Sequence, residues 1–256
     1  MYRKARRYNS EPRRTQKTGW NALASWYVGW AGSGSKFHKK FGIPQVVSHL
    51  HLSRGMTFLD VGCGVGALYE AVKAKKVDYI GIDKSERMIQ QAKKQFGDTE
   101  SFYVADAANK TGIQLPRQVE GKFDRAAFLF SIQDIDDEKV AIKNVSKLLR
   151  SKGELVIFML HPSFRIPRMS GWGKDPKRKV TFRRVDLYKT RKVIPLPQKT
   201  GQGNVTSFFY HRPFEDYLNA LAQSGLMLLE TEAVYSTDKP PEGEFPHFLV
   251  LRAKKV

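Results

Sequence analysis

The sequence is poor in cysteine and in acidic residues, and it has no long apolar run. Its single cysteine, Cys63, excludes an internal disulfide and a cysteine-based zinc cluster, and it points to a reducing cytoplasmic or organellar compartment. No window approaches the roughly 20 consecutive apolar residues of a membrane-spanning helix, so no membrane partner is expected. The N-terminus is charged but lacks the apolar segment of a secretory signal. Acidic residues are outnumbered: 25 Asp and Glu stand against 44 Lys and Arg, a net charge of +19 over 256 residues. The excess is uneven. Residues 1–20 carry seven basic residues against Glu11, and residues 165–192 carry eleven against Asp175 and Asp186, so these segments hold fifteen of the nineteen net charges. Localised positive charge fits a phosphate-rich partner, and it fits equally a solvated tail and loop that keep a basic protein soluble.

What is present is the composition of a folded protein, 41% hydrophobic and 12% aromatic, in a chain long enough for a real core. Residues 1–18 have little to bury and are expected to be a disordered basic tail. Residues 19–55 form an expected helical cap: Trp20, Leu23, Trp26, Tyr27 and Trp30 recur at helical spacing, and Pro44 suits the first turn of a second short helix. From Met56 to Leu160 strand and helix patterns alternate. The strands "TFLDV", "VDYIGID", "SFYVAD", "FDRAAFLF" and "GELVIFML" are apolar almost throughout, as when both faces of a parallel sheet are covered. That alternation predicts an α/β fold with an open, doubly wound sheet. The rhythm fails at His161. Residues 161–212 contain Pro162, Pro167, Pro176, Pro195 and Pro197 with short β-like runs, and predict a small antiparallel β lid inserted after the fifth strand. Residues 213–256 then complete the core with one helix and two strands.

The chemistry concentrates in "FLDVGCGVGALYEAV". Its glycines, Gly62, Gly64 and Gly66, let a ligand approach the backbone at the end of the first core strand, and with Ala67 they also fit the spacing of a dinucleotide turn. Asp83 ends the second strand 21 residues after Gly62, where a carboxylate can take both hydroxyls of a ribose in either case. Asp60 discriminates. Set two residues before Gly62, it would oppose a pyrophosphate but attract a cationic amino-acid moiety. Asp106 ends the third strand, and three acidic strand ends in succession suit a ligand without phosphates.

These segments, together with "YIGIDKSERMIQQAKKQF", "FYVADAA", "FDRAAFLFSIQDIDD" and "LLRSKGELVIFML", resemble in order and spacing the motifs of class I S-adenosylmethionine-dependent methyltransferases. The resemblance implies a Rossmann-like seven-stranded sheet whose last strand runs antiparallel, and S-adenosylmethionine as cofactor. It implies that Asp60, Gly62, Cys63, Gly64 and Gly66 form the loop on the methionine side. Asp83, followed by Lys84, would hold the ribose, Met88 would pack near the adenine, and Asp106 and Ala107 would meet its edge. Phe130 and Ser131 would line the methionine arm. The upstream "WYVGWAGSGSKFHKKFGIP" is similar to the N-terminal cap of bacterial members, in which Tyr27 and His38 would close over the cofactor.

The acceptor is less constrained. The fourth strand ends in "FSIQDID" rather than the Asn/Asp-Pro-Pro-Tyr/Phe typical of enzymes that methylate amino groups of nucleic acids. Cys63 sits inside the cofactor loop as a small filler, so a cysteine nucleophile is not expected. His161 emerges at the ligand edge of the sheet and is a candidate proton acceptor or orienting group; a histidine stabilising the strand–lid junction is the alternative. Gln133 and Asp134 share that cleft as candidates. Arg165, Arg168 and Trp172 could hold an anionic or planar acceptor, while Tyr210 and His211 are expected to pack in the core. No metal is assigned. The reading is a methyltransferase acting on a small molecule under the lid. An RNA or ribosome-associated enzyme gripping phosphates with tail and lid is the alternative, and a non-catalytic binding or assembly factor the third.

Overall fold

The computed structural model describes residues 17–31, 35–116, 119, 122–201 and 203–256. Most of the expected basic tail, residues 1–16, lies outside the described residues. Its last two residues form a short strand, β1 (Lys17–Thr18), which pairs in parallel with a strand of the insertion far along the chain. The aromatic stripe becomes helix α1 (Trp20–Ala31), and a π-helical turn (His38–Gly42) leads into α2 (Ile43–Leu50) with Pro44 in its first turn.

The alternating region then folds as read: β2 (Thr57–Val61), α3 (Tyr69–Lys73), β3 (Asp78–Asp83), α4 (Glu86–Phe96), β4 (Phe102–Val104), β5 (Phe123–Leu129), α5 (Glu138–Leu148) and β6 (Leu149–Leu160). Helix boundaries follow local chemistry. The Ser85 hydroxyl accepts from Met88 N at 3.2 Å to start α4, and Gly97, at φ 65°, ends it; the Asp137 carboxylate accepts from Val140 N at 3.1 Å to start α5. Pleating sends Phe58 towards α2, α3 and α4 on one face and Leu59 and Val61 towards α5 and later helix α6 on the other. Each such fully buried side chain contributes about 1.5–3 kcal/mol relative to exposure.

The insertion holds two antiparallel hairpins rather than one lid. The first joins β7 (Ser170–Asp175) to β8 (Val180–Val185), and the second joins β9 (Lys192–Thr200) to β10 (Gly203–His211), the partner of β1. Ile166, Ile194 and Phe209 form the small apolar cluster beneath the second hairpin. Helix α6 (Phe214–Gln223) and strands β11 (Leu226–Val234) and β12 (Phe248–Lys255) finish the core. The sheet runs β11-β12-β6-β5-β2-β3-β4, with β12 antiparallel to both neighbours and the other pairings parallel.

The chain leaves β2 towards β3 and β4, then returns to β5 on the other side of β2. That reversal opens a crevice beyond the carboxyl ends of β2 and β5, where ligands of open α/β sheets bind. The insertion is fastened beside it by a buried charge network. Glu138, fully buried at the start of α5, meets Arg212 Nε at 2.6 Å and takes two bonds from Arg191, at 2.9 and 2.8 Å. Arg212, 1% exposed, also donates to the carbonyls of Ile132, Ile135 and Tyr210.

Candidate active site

A cavity of about 630 Å³ lies at this crevice, floored by the turns after β2, β3 and β5. Gly62 (φ 68°) passes so close to the end of β5 that a Cβ there would fall 2.5 Å from Ser131 Cβ. Gly64 (φ 55°) has the opposite environment: a Cβ would meet no atom within 4 Å, so bare backbone borders open space in the cavity wall. Its N–H donates to Asp83 Oδ2 at 2.9 Å, while Ser85 N donates to Asp83 Oδ1 at 2.7 Å. Asp83 thereby ties the first two turns together and keeps lone pairs on both oxygens for further donors. Burial pushes its carboxyl above the usual range, against the pull of those two backbone donors.

Asp60 also lines the cavity but is not a bare charge. It is 2% exposed, and its Oδ2 accepts the Tyr79 hydroxyl at 2.7 Å. Burial raises its carboxyl to about 7; the Tyr79 bond lowers it and the charge of Asp83 raises it further. Cys63 lies in the same turn, its thiol raised well above normal by burial and by both aspartates, which suits a filler and not a nucleophile.

The cap and the later turns complete the walls. Tyr27, His38, Met88, Ala107, Phe130 and Ser131 all line the cavity, as do Lys84 and Asp106, which pair at 2.7 Å. Burial lowers the His38 imidazole to about 4, so it is neutral; its Nδ1 lies 2.8 Å from the Ser35 hydroxyl, and its ring meets Phe130 edge-on at 4.9 Å. Phe130 itself adopts φ 58°, a costly conformation for an aromatic residue, at the point where β5 ends against the cavity. Sequence reasoning missed Asn21, whose Oδ1 accepts from Ser85 Oγ at 2.8 Å and from Arg87 N at 3.1 Å, clipping α1 onto the start of α4. A lone asparagine in a helix carries no signal of such a distant contact.

Several expected site residues sit elsewhere. Gly66 does not line the cavity; a Cβ there would fall 2.7 Å from the Phe96 ring and 3.1 Å from Phe102, so this glycine serves packing. His161 does not line it either. Its Nδ1 accepts from Ser163 N at 3.2 Å, its backbone N donates to His247 O, and its ring packs 4.9 Å from Phe164: the strand–lid junction. Burial lowers its imidazole to about 4. Gln133 does reach the cavity, but its Oε1 is held by Leu160 N at 3.0 Å, which makes it a brace between β6 and the turn after β5. Asp134 lines the cavity, its carboxyl held well above normal by burial and by the charge of Asp83.

Arg165, Arg168 and Trp172 lie outside the cavity wall. Trp172 stacks edge-on against Phe245 at 5.5 Å under the Arg183 guanidinium, and Arg168 donates to Pro195 O at 2.9 Å. The first hairpin therefore packs away from the cavity, on Phe245 of the β11–β12 connection and on Phe164 at the start of the insertion, and the second one faces the site: Ser207, Phe208 and Tyr210 of β10 form part of the wall. Tyr210 is thus a cavity residue and not a core one, whereas the His211 side chain turns inward to Tyr188 O at 2.7 Å.

A family model described as a methyltransferase domain matches residues 59–155, from within β2 to within β6, the span whose turns floor this cavity. Those residues of the chain form a methyltransferase domain of the class I S-adenosylmethionine-dependent type. An O-methyltransferase of Aspergillus sclerotiorum is 27% identical over 142 residues, 49% of this chain and 53% of that protein. An mRNA cap guanine-N(7) methyltransferase of Schizosaccharomyces pombe is 29% identical over 134 residues, 46% and 37% of the two chains. The chain spans about half the length of the curated relatives it matches. A crystal structure of an S-adenosylmethionine-dependent methyltransferase from Mesorhizobium loti shares the fold, with a TM-score of 0.67 and 24% identity over 85% of this chain and all of that one. S-adenosylmethionine is the family's cofactor, and the donor set fits it: free acceptor capacity on Asp83 for a diol, open backbone at Gly64 and acidic side chains for a cation. No described helix of the chain is long and apolar enough to cross a membrane.

Proposed function

We propose that this methyltransferase moves the methyl group of S-adenosylmethionine to a small organic acceptor held in the same cavity, beside the wall formed by β10 and the cap. The observation that carries this reading is the sign of the cavity's charge. In a chain of net charge +19, the described cavity wall contains five aspartates, Asp60, Asp83, Asp106, Asp134 and Asp136. Lys84 is its one lysine or arginine, and that side chain is paired with Asp106. Those of its carboxylates that are ionised attract a sulfonium, and the wall offers a polyphosphate chain no lysine or arginine besides Lys84. The volume also lies within the range of small-molecule sites.

When bound, S-adenosylmethionine supplies an already activated methyl group. The protein's share is to orient the acceptor in line with it, exclude water and take a proton where the acceptor must lose one. Asp83 would hold the ribose hydroxyls with its remaining lone pairs, and Gly62 to Gly64 would border the methionine arm near Asp60. Met88, Asp106 and Ala107 would receive the adenine, with Tyr27 and His38 closing from the cap. Leu160, Phe208 and Tyr210 give the acceptor an apolar and aromatic surface. Asp134 replaces His161 as the candidate proton acceptor, because it faces the cavity and its environment makes the carboxylate more basic.

One observation favours RNA as a second reading. Lys174, Lys177, Arg178, Lys179 and Arg184 are all exposed on the first hairpin, outside the cavity, where they could hold phosphates while a base entered the site. Methyl-labelled cofactor, incubated with the full chain and separate pools of small metabolites and total RNA, divides the readings. Label is expected in a low-mass organic fraction. Label in RNA would overturn the small-molecule assignment, and no label in any pool would favour the binding-factor alternative.

A further inference from the structure

Where helix α2 meets the edge strand β11, three ligand-type side chains converge. Helix α2 places Gln45 and His49 one turn apart on a single face, and β11 places Glu230 and Glu232 two residues apart on a single face. The His49 side chain is 8% exposed, and its Nε2 points between the two carboxylates, 3.1 Å from Glu232 Oε2 and 3.8 Å from Glu230 Oε1. One donor atom from each of the three residues lies within 4.8 Å of the others. None of the three lines the cofactor cavity.

The outer contacts decide which atoms face inward. His49 Nδ1 lies 2.8 Å from Gln45 O, which can only accept, so Nδ1 carries the hydrogen. The Ser48 hydroxyl, 3.3 Å from the same nitrogen, gives its own hydrogen to Gln45 O at 2.9 Å. Nε2 therefore presents either a lone pair or a second proton to two acceptor oxygens. The distal carboxylate oxygens are already engaged: Glu230 Oε2 by Arg252 Nε at 3.0 Å, and Glu232 Oε1 by Gln45 Nε2 at 3.4 Å. Arg252 also pairs with Glu154 at 3.2 Å. One nitrogen and two oxygens are left facing a common point, each backed by a fixed outer partner, as in metal sites whose histidine donates its other N–H to a carbonyl. A single proton on Nε2 would serve Glu232 and leave Glu230 Oε1 without a close donor. A cation between the three would serve all of them.

We propose that His49, Glu230 and Glu232 bind a divalent transition cation of the zinc type. The donor set, one imidazole and two carboxylates, is of borderline hardness and suits Zn²⁺ better than Ca²⁺ or Mg²⁺. Ligands about 2.0–2.2 Å from a tetrahedral metal lie roughly 3.4 Å apart, and the two histidine–carboxylate distances bracket that spacing. The glutamate side chains, 42% and 44% exposed, leave an entry path and a remaining position for water. The ion would pin α2 to the edge strand β11, distant in sequence and otherwise joined there by side-chain contacts alone.

The test is calorimetric titration of metal-stripped full-length protein with Zn²⁺, beside titration with Co²⁺ followed by its visible absorption. One ion per chain is expected, with a Co²⁺ spectrum of low coordination number, and a rise in melting temperature on Zn²⁺ addition. Glu232→Gln and Glu230→Gln keep the shape and the outer bonds, and each should weaken binding by at least about tenfold while leaving S-adenosylmethionine affinity unchanged. His49→Ala should abolish the Co²⁺ band; if removing the buried ring unfolds the chain, the two glutamine variants still decide. Absence of Zn²⁺ binding by the unaltered protein would overturn the proposal and leave a histidine–glutamate ion pair. Binding that both glutamine variants retain in full would overturn it equally, by placing the ion elsewhere.

Discussion

The two walls of the cavity are built differently. The cofactor wall comes from turns directly after β2, β3 and β5, and its side chains are fixed by partners a few residues or one strand away, such as Asp83 on Gly64 N and Ser85 N. The wall proposed to hold the acceptor comes from α1, the π-helical turn and β10, drawn together from positions some 170 to 190 residues apart and locked by β1–β10 pairing and by Glu138 with Arg212. A cofactor common to a family can rest on local geometry repeated in every member. An acceptor that differs between members is met by surfaces assembled from long-range contacts, which can change without disturbing the sheet.

The largest effect is expected where the second wall joins the first. Arg212→Met removes one partner of a buried ion pair and should cost about 3–5 kcal/mol, read as a shift in the urea midpoint. Adding Glu138→Leu should recover much of the loss, because the stranded carboxylate is then gone and Arg191 keeps Asp216 at 2.6 Å. If Arg212→Met is as stable as the parent, the seam does not hold the acceptor wall.

That seam also marks where the sequence stopped being informative. The strands of the alternating region are legible because burial on both faces demands unbroken apolar runs. The glycine turn and its aspartates are legible because tight turns and close backbone approach admit few residues. Arg212 and Glu138 are not: charged residues beside Pro213 and at a helix start look solvated until the tertiary fold buries them. Nor is side-chain direction at a strand end. Leu160 faces the cavity and His161, the next residue along, faces the junction, a one-residue alternation that places the candidate base on the wrong side. The insertion's strands show in its β-like runs, but no pattern in them names β1 as a partner.

A middle-sized effect separates the walls by ligand. Asp83→Ala should weaken S-adenosylmethionine binding by about 10- to 100-fold in calorimetry, the loss of a charged hydrogen-bond acceptor. Trp172→Ala, on the hairpin outside the cavity, should change it by less than about twofold, since nothing there touches the cofactor side. Equal losses in the two variants would erase the distinction between a local cofactor wall and a remote insertion.

The smallest effect tests the cofactor wall's charge directly. The Asp60 carboxyl, at about 7, is mostly protonated at pH 6 and mostly ionised at pH 8; Tyr79, Cys63 and Asp83 are the titratable groups around it. Only the ionised form attracts a sulfonium, so affinity for S-adenosylmethionine should rise with pH across this window. The demethylated thioether product carries no such charge and serves as the internal reference. The ratio of the two affinities should therefore rise with pH, by at most about tenfold between pH 6 and 8, one decade per unit of pKa displacement. Stability must move the opposite way. A carboxyl raised in the fold above its unfolded value near 3.8 holds its proton between those values while the unfolded chain has lost it. The ligand-free protein thus gains stability from this group as pH falls from 7 towards 4 and loses it as pH rises. Asp60→Asn should flatten both trends at once, leaving a chain more stable than the parent at pH 8 and indifferent to the sulfonium charge. A variant that keeps the pH-dependent affinity ratio would place the attracting carboxylate at Asp83 or Asp134 instead.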